Sequence, residues 1–162
     1  MSKDKAPVTP AIRVLRNEKA AYTEHPYHYV DRGGTATFAK LYGVDEHAVI
    51  KTLIMEDDEK RPMIVLMHGD HEVSTKELAR IIGAKRVQPC IPETAQKHSG
   101  YMVGGTSPFG TRKTMPVYMQ ETILNLPKIY INGGRRGYLI GIDPKEIIRV
   151  LKPVLVRVGV LN

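Results

Sequence analysis

Three places in this chain combine residue types and spacing that could do chemistry. The first is "GYMVGGTSPFGTRK", residues 100–113, with four glycines, Thr106, Ser107 and Thr111, and the pair Arg112–Lys113. The second is "INGGRRG", residues 131–137, where Asn132, Gly133 and Gly134 precede Arg135 and Arg136. Paired glycines let a backbone approach a ligand and aim N–H groups at it, and adjacent cations favour an anionic or polar one. Turns need glycine anyway, so each pair alone is a weak signal. The third is Lys51, inside the apolar run "VIKTLIM". A buried ammonium is costly unless something anionic meets it. An edge-strand lysine whose amine reaches water is the equal alternative.

Other chemistries fit poorly. There is no G-x-S-x-G nucleophile elbow and no P-loop. Ser107 precedes a proline, which is no setting for a serine nucleophile. Cys90 lies in "VQPCIP" with no histidine or other base beside it, and reads as a small buried apolar residue. His25 and His28 are three apart, as are His68 and His71. Such pairs can bind zinc. In a strand, an offset of three puts the first pair on opposite faces. The second pair falls in a turn with no evident carboxylate pattern. Both read as solvated histidines, so no metal and no cofactor is expected.

The elements that must position these groups are short. Thr9 and Pro10 read as the cap and first residue of a helix over residues 11–20. Residues 21–29 read as extended, with Pro26 placing them at an edge. Helices are expected at 35–43, 76–83 (capped by Ser74 or Thr75), 93–100 and 145–152, the last opened by Asp143, Pro144 and Glu146. Strands are expected at 48–56, 63–68, 84–89, 115–119, 128–132, 137–142 and 153–160. Many strands with few helices, in no clean alternation, read as a mixed α/β (α+β) fold: a barrel-like mixed sheet with short helices packed outside. At 162 residues, with no repeat or linker, the chain is expected to be a single domain over residues 1–162.

Lysine and arginine number 24 against 17 acidic residues, a net charge of +7. That balance suits a polyanion such as RNA. With two phenylalanines and no tryptophan, stacking surface is sparse, although eight tyrosines partly compensate. A lone cysteine, no signal-peptide core and no run long enough to span a membrane point to a soluble cytoplasmic protein.

Taken in order, "TPAIRVL", "VIKTL", "GYMVGGTSPFGTRK" and "IYINGGRRG" resemble the YbaK family of aminoacyl-tRNA deacylases, relatives of the editing domain of prolyl-tRNA synthetase. The resemblance runs over nearly the whole chain. It implies a barrel-like mixed fold and hydrolytic clearing of mischarged tRNA, mainly Cys-tRNA(Pro), with the substrate's own thiol attacking the ester. By position it implies that Lys51 and Gly104 are the catalytic residues. Tyr27, Gly105, Thr106, Ser107, Asn132, Gly133 and Gly134 would then bind substrate. The implied partners are tRNA(Pro) in aminoacylated form and prolyl-tRNA synthetase. Two positions depart from the family pattern. Asn132 stands where serine is frequent, and Leu139 where the YbaK type has aspartate. Both bear on the acyl pocket, so alanine or another small amino acid, cleared by water attack, stays open. A non-catalytic RNA- or partner-binding module of the same fold is the rival class.

Overall fold

The computed structural model describes residues 7–162; the first six residues of the expected domain lie outside it. In chain order the elements are α1 (Pro10–Asn17), β1 (Tyr22–Pro26), α2 (Gly34–Tyr42), β2 (Val49–Asp57), β3 (Pro62–His68), β4 (His71–Val73), α3 (Thr75–Ile82), β5 (Val87–Pro89), α4 (Pro92–Ser99), β6 (Val117–Gln120), β7 (Ile129–Arg135), β8 (Tyr138–Ile142), α5 (Pro144–Leu151), β9 (Val154–Val156) and β10 (Gly159–Leu161). Short 3₁₀ turns at Glu46–Ala48 and Glu121–Asn125 precede β2 and follow β6.

Local chemistry sets the helix ends. The Thr9 hydroxyl accepts from the Ile12 N–H at 3.1 Å and Pro10 opens α1. Ser74 and Asp143 cap α3 and α5 in the same way. Gly43, Gly83 and Gly100 end α2, α3 and α4 in the left-handed conformation that suits glycine.

The expected mixed α/β architecture is present. Eight strands form one sheet in the order β1-β8-β7-β2-β3-β6-β9, with β5 added to β2, and β10 pairs with β4 in a separate ribbon. The β2–β7, β3–β6 and β6–β9 pairs are parallel, and the other ladders are antiparallel. β2 and β3 lie at the centre, which explains their unbroken apolar sequences. Ile50, Ile54, Ile64 and Leu66 face a core closed by Ile12 and Leu15 of α1 and Ile147 of α5. Met55, Met63, Val65 and Met67 face a second core closed by Leu78 of α3. Phe38 of α2 closes a third beside Val49 and Leu139.

Two strands depart from their sequence reading. Residues 153–160 are not one strand: β9 and β10 belong to different sheets. The buried Gln120 side chain captures the N–H groups of Val158 and Gly159 at 2.8 and 3.0 Å, diverting the chain there. β7 does not stop at Asn132 but continues through both glycines to Arg135, with a bulge between Asn132 and Arg135. The second glycine pair is therefore strand, not loop. β4 has no counterpart in the expected elements.

Candidate active site

The sheet has a gap beside β2. β7 pairs with it only at Val49 and Ile50, and β5 only at Met55 to Asp57. Between them, the edge of residues 51–54 has no strand partner. A cavity of about 490 Å³ opens against this edge. That is the size of a small-molecule site. Tyr27, Thr52, Cys90, Gly104, Asn132 and Leu139 are among the residues that line it, and Lys51 borders it.

Lys51 is half-buried, and its ammonium donates to the carbonyl of His71. Burial pushes its pKa down, while Glu72, Glu46 and Asp70 pull it back up. The amine is therefore neither free in water nor matched by a contacting carboxylate. One bond to a carbonyl leaves two of its N–H donors available.

Tyr27 follows β1, tied by its N–H to the Gly137 carbonyl at 2.9 Å, with its ring edge-on to Phe38. Burial raises its pKa, and neighbouring Tyr29 adds to this. It serves as a neutral wall. Thr52 was not singled out from the sequence. Its hydroxyl is the one buried side-chain polar atom among the described residues with no hydrogen-bond partner, and the residue lines the cavity. An unpaired buried hydroxyl is costly, and because its oxygen is closed to solvent it must turn into the cavity to meet a ligand.

The two glycine pairs behave differently. Gly104 lines the cavity with φ at +89°, and a Cβ there would strike the Tyr29 hydroxyl. Its N–H makes no backbone hydrogen bond among the described residues, whereas that of Gly105 is spent on the Met102 carbonyl at 2.8 Å. Gly105 is buried, and a Cβ there would come within 2.7 Å of the Arg136 backbone nitrogen. Gly133 and Gly134 press against the rings of Tyr138 and Tyr101. Ser107 is fully buried and accepts from the Phe109 N–H at 3.2 Å. Of the residues expected to bind substrate, Tyr27, Thr106 and Asn132 therefore reach the cavity, with Lys51 and Gly104 beside them. Gly105, Ser107, Gly133 and Gly134 lie behind its wall.

Asn132 ties the two segments together. Its amide donates to the Gly104 carbonyl at 3.2 Å, and its oxygen accepts from the N–H groups of Gly134 and Arg135. Arg136 donates to the Val103 carbonyl at 2.8 Å and sits over the Tyr29 ring. Cys90 packs against the main core, as its apolar reading implied, but is only partly buried and also forms part of the cavity wall. Its thiol donates to Glu56, and burial together with that carboxylate pushes it up to about 12.

The histidines also need correction. His25 packs edge-on to Phe38, Tyr42 and Tyr130, while His28 is exposed. His68 is fully buried rather than solvated. A carbonyl only accepts, so its Nδ1 donates to the His47 carbonyl at 2.7 Å and its Nε2 accepts from the Thr122 hydroxyl. His71 meets Asp70 and stands near His47. His47 comes from the 3₁₀ turn before β2, so no local spacing could have revealed the group.

An open apolar cavity with a rim cation, an orphaned hydroxyl and a glycine loop is equipped to hold a small polar acyl group on a longer anionic carrier. The model of the aminoacyl-tRNA editing domain matches residues 33–150. The chain belongs to the aminoacyl-tRNA editing domain family. Its activity is the deacylation of aminoacyl-tRNA. It is 28% identical over 141 residues to the "Putative Cys-tRNA(Pro)/Cys-tRNA(Cys) deacylase EbsC" of Enterococcus faecalis, a match covering 86% of each chain. It is 27% identical over 96 residues to the proline–tRNA ligase of Levilactobacillus brevis, covering 59% of this chain and 17% of the ligase. In fold it resembles the crystal structure of "a putative trans-editing enzyme for prolyl tRNA synthetase", with a TM-score of 0.81 at 20% identity over 96% of this chain and 99% of that one. No helix among the described residues is long and apolar enough to cross a membrane.

Proposed function

We propose that residues 1–162 form a single editing domain that clears Cys-tRNA(Pro) with the help of the substrate's own thiol. The observation that carries this reading is a cavity with an unpartnered buried hydroxyl, Thr52, and no activated nucleophile among the described residues. Ser107 is sealed away and the Cys90 thiol is held protonated. The attacking atom then has to arrive with the substrate or as water. The cysteine-specific name of the E. faecalis relative favours the former.

In this reading Lys51 holds a phosphate or ribose oxygen of the terminal adenosine. The Gly104 N–H faces the carbonyl oxygen as charge develops on it, where a fixed donor is most effective. Thr52 completes its hydrogen bonding on the aminoacyl group. Tyr27 and Thr106 shape the pocket. Asn132, with Gly105, Ser107, Gly133 and Gly134 behind it, keeps the loop in register with the ester. The thiolate sulfur bonds the ester carbonyl carbon, the C–O bond to the ribose breaks, and the ribose oxygen takes the proton the thiol gave up. Water then opens the four-membered thiolactone to free cysteine. The net charge of +7 supports a salt-sensitive grip on tRNA(Pro). Kinship with part of a proline–tRNA ligase supports prolyl-tRNA synthetase as the partner whose errors are cleared.

The test is deacylation of tRNA(Pro) charged with cysteine, S-methylcysteine or alanine. Cleavage of the first alone is expected. Rapid cleavage of the other two would replace thiol assistance by water attack. The buried apolar side chain of Leu139 in the cavity wall supports alanine as the acyl group in that case. Inactivity on all three would favour a binding module.

A further inference from the structure

We propose that His47, Asp70 and His71 form a binding site for a zinc-class divalent transition metal, separate from the acyl cavity. The Asp70 carboxylate lies 2.9 Å from His47 Nδ1 and 2.7 Å from His71 Nδ1. One donor atom from each residue falls within a 4.8 Å cluster. Two imidazoles and one carboxylate are the donor set of many zinc sites, and a water fills the fourth position. Imidazole favours zinc, nickel and copper over magnesium and calcium.

Three features make this more than a chance meeting of side chains. First, both rings turn the same nitrogen, Nδ1, toward the carboxylate, and the Nε2 of neither has a hydrogen-bond partner among the described residues. Moving each ring proton to Nε2 therefore sacrifices no bond beyond the two to Asp70. It frees two lone pairs for one ion.

Second, the ligands are held from behind. The His47 ring stacks on the buried His68 ring at 3.6 Å, and the His47 carbonyl accepts from His68 Nδ1. Asp45 caps the His47 N–H at 3.0 Å. The Asp70 carbonyl accepts from the Asn162 N–H at 3.1 Å, and the His71 carbonyl accepts from Lys51. These contacts hold the backbone of all three residues and the face of one ring, and so limit how far the ligands can move.

Third, the group is reachable. The side chains of His47 and Asp70 are each 31% exposed and that of His71 is 20% exposed. For tetrahedral bonds of about 2.0–2.1 Å the donors must stand about 3.3 Å apart. The two hydrogen-bond distances need to open by about half an ångström, and the two Nδ1 atoms, within 4.8 Å of each other, need to settle at the same spacing. An ion here would also fix the turn whose carbonyl anchors Lys51.

The experiment uses the untagged full chain, stripped with chelator and desalted. It is titrated with zinc by calorimetry and with cobalt(II) by visible absorption. Saturation at one ion per chain, with the intense d–d bands of a low-coordinate cobalt site, is expected. His47→Ala and His71→Ala should each weaken binding at least tenfold, and the exposed control His28→Ala should leave it unchanged. Asp70→Asn keeps the shape of the carboxylate and should weaken binding similarly, which guards against misfolded alanine variants. The absence of saturable uptake by the unmodified chain would overturn the proposal. So would undiminished binding by folded His71→Ala and Asp70→Asn. Because the readout is metal uptake, the outcome is independent of which aminoacyl-tRNA is cleaved.

Discussion

The glycine pairs at 104–105 and 133–134 are built from the same residues, and cations follow both. They meet in space, with Asn132 bonded to the Gly104 carbonyl and Arg136 to that of Val103. Yet Gly104 borders the cavity, while Gly105, Gly133 and Gly134 are pressed between backbone and aromatic rings. The hydroxyls of Ser107 and Thr52 divide in the same way. Ser107 is satisfied inside the loop, and Thr52 is unsatisfied at the cavity. One set of groups is left for a ligand, and the other holds the first in place. A glycine or a hydroxyl thus acquires its role from what stands opposite, not from its type.

Chemical reactivity offers the widest expected contrast. Cys90 lines the cavity, but burial and Glu56 hold its thiol up to about 12. At pH 8 its alkylation by iodoacetamide should run about a thousandfold slower than that of an ordinary thiol, because only the thiolate reacts. The rate should keep climbing with pH until that value is reached. Rapid alkylation at pH 8 would transfer Cys90 to the reactive side of the division.

Lys51→Ala should lower deacylation by about a hundredfold, the scale of a lost electrostatic contact to a transition state. Its circular dichroism and melting should stay close to those of the unmodified chain. Near-normal turnover by the folded variant would remove Lys51 from the site.

Paired glycine substitutions address the comparison directly. A Cβ on Gly133 would lie 2.6 Å from the Tyr138 ring, which its hydroxyl pins to Glu24 at 2.6 Å. Gly133→Ala should cost about 2 kcal/mol in denaturant unfolding through overpacking. Gly104→Ala meets the hydroxyl and ring edge of Tyr29 and carries the strain of a positive φ. It should therefore cost stability too, but unlike Gly133→Ala it should also lower kcat/KM. The reverse pattern would exchange the roles assigned to the two pairs.

The hydroxyls give the smallest differences. Thr52→Val should leave stability unchanged or raised, since it removes an unpaired buried oxygen, and should slow deacylation about tenfold by loss of one hydrogen bond to substrate. Ser107→Ala should cost about 1 kcal/mol of stability and slow deacylation without abolishing it. A stable, fully active Thr52→Val would leave the orphaned hydroxyl without a ligand to explain it.

The amino-acid sequence alone determined the features that depend on near neighbours. Thr9–Pro10, Ser74 and Asp143 start helices, and Gly43, Gly83 and Gly100 stop them, through contacts within a few residues. The apolar runs of β2 and β3 announced a buried centre, and the order of four short motifs pointed to the editing family. Tertiary structure decided whatever depends on distant partners. Gln120, 38 residues away from Val158, split the last strand in two. The bulge after Asn132 turned an expected loop into sheet. His47, 21 residues before His68, covered a histidine that local spacing placed in water. Thr52 stayed unremarkable until β7 and β5 were seen to leave its edge of the sheet open. A side chain's burial and its missing partners are properties of the packed sheet, and no window of neighbouring residues contains them.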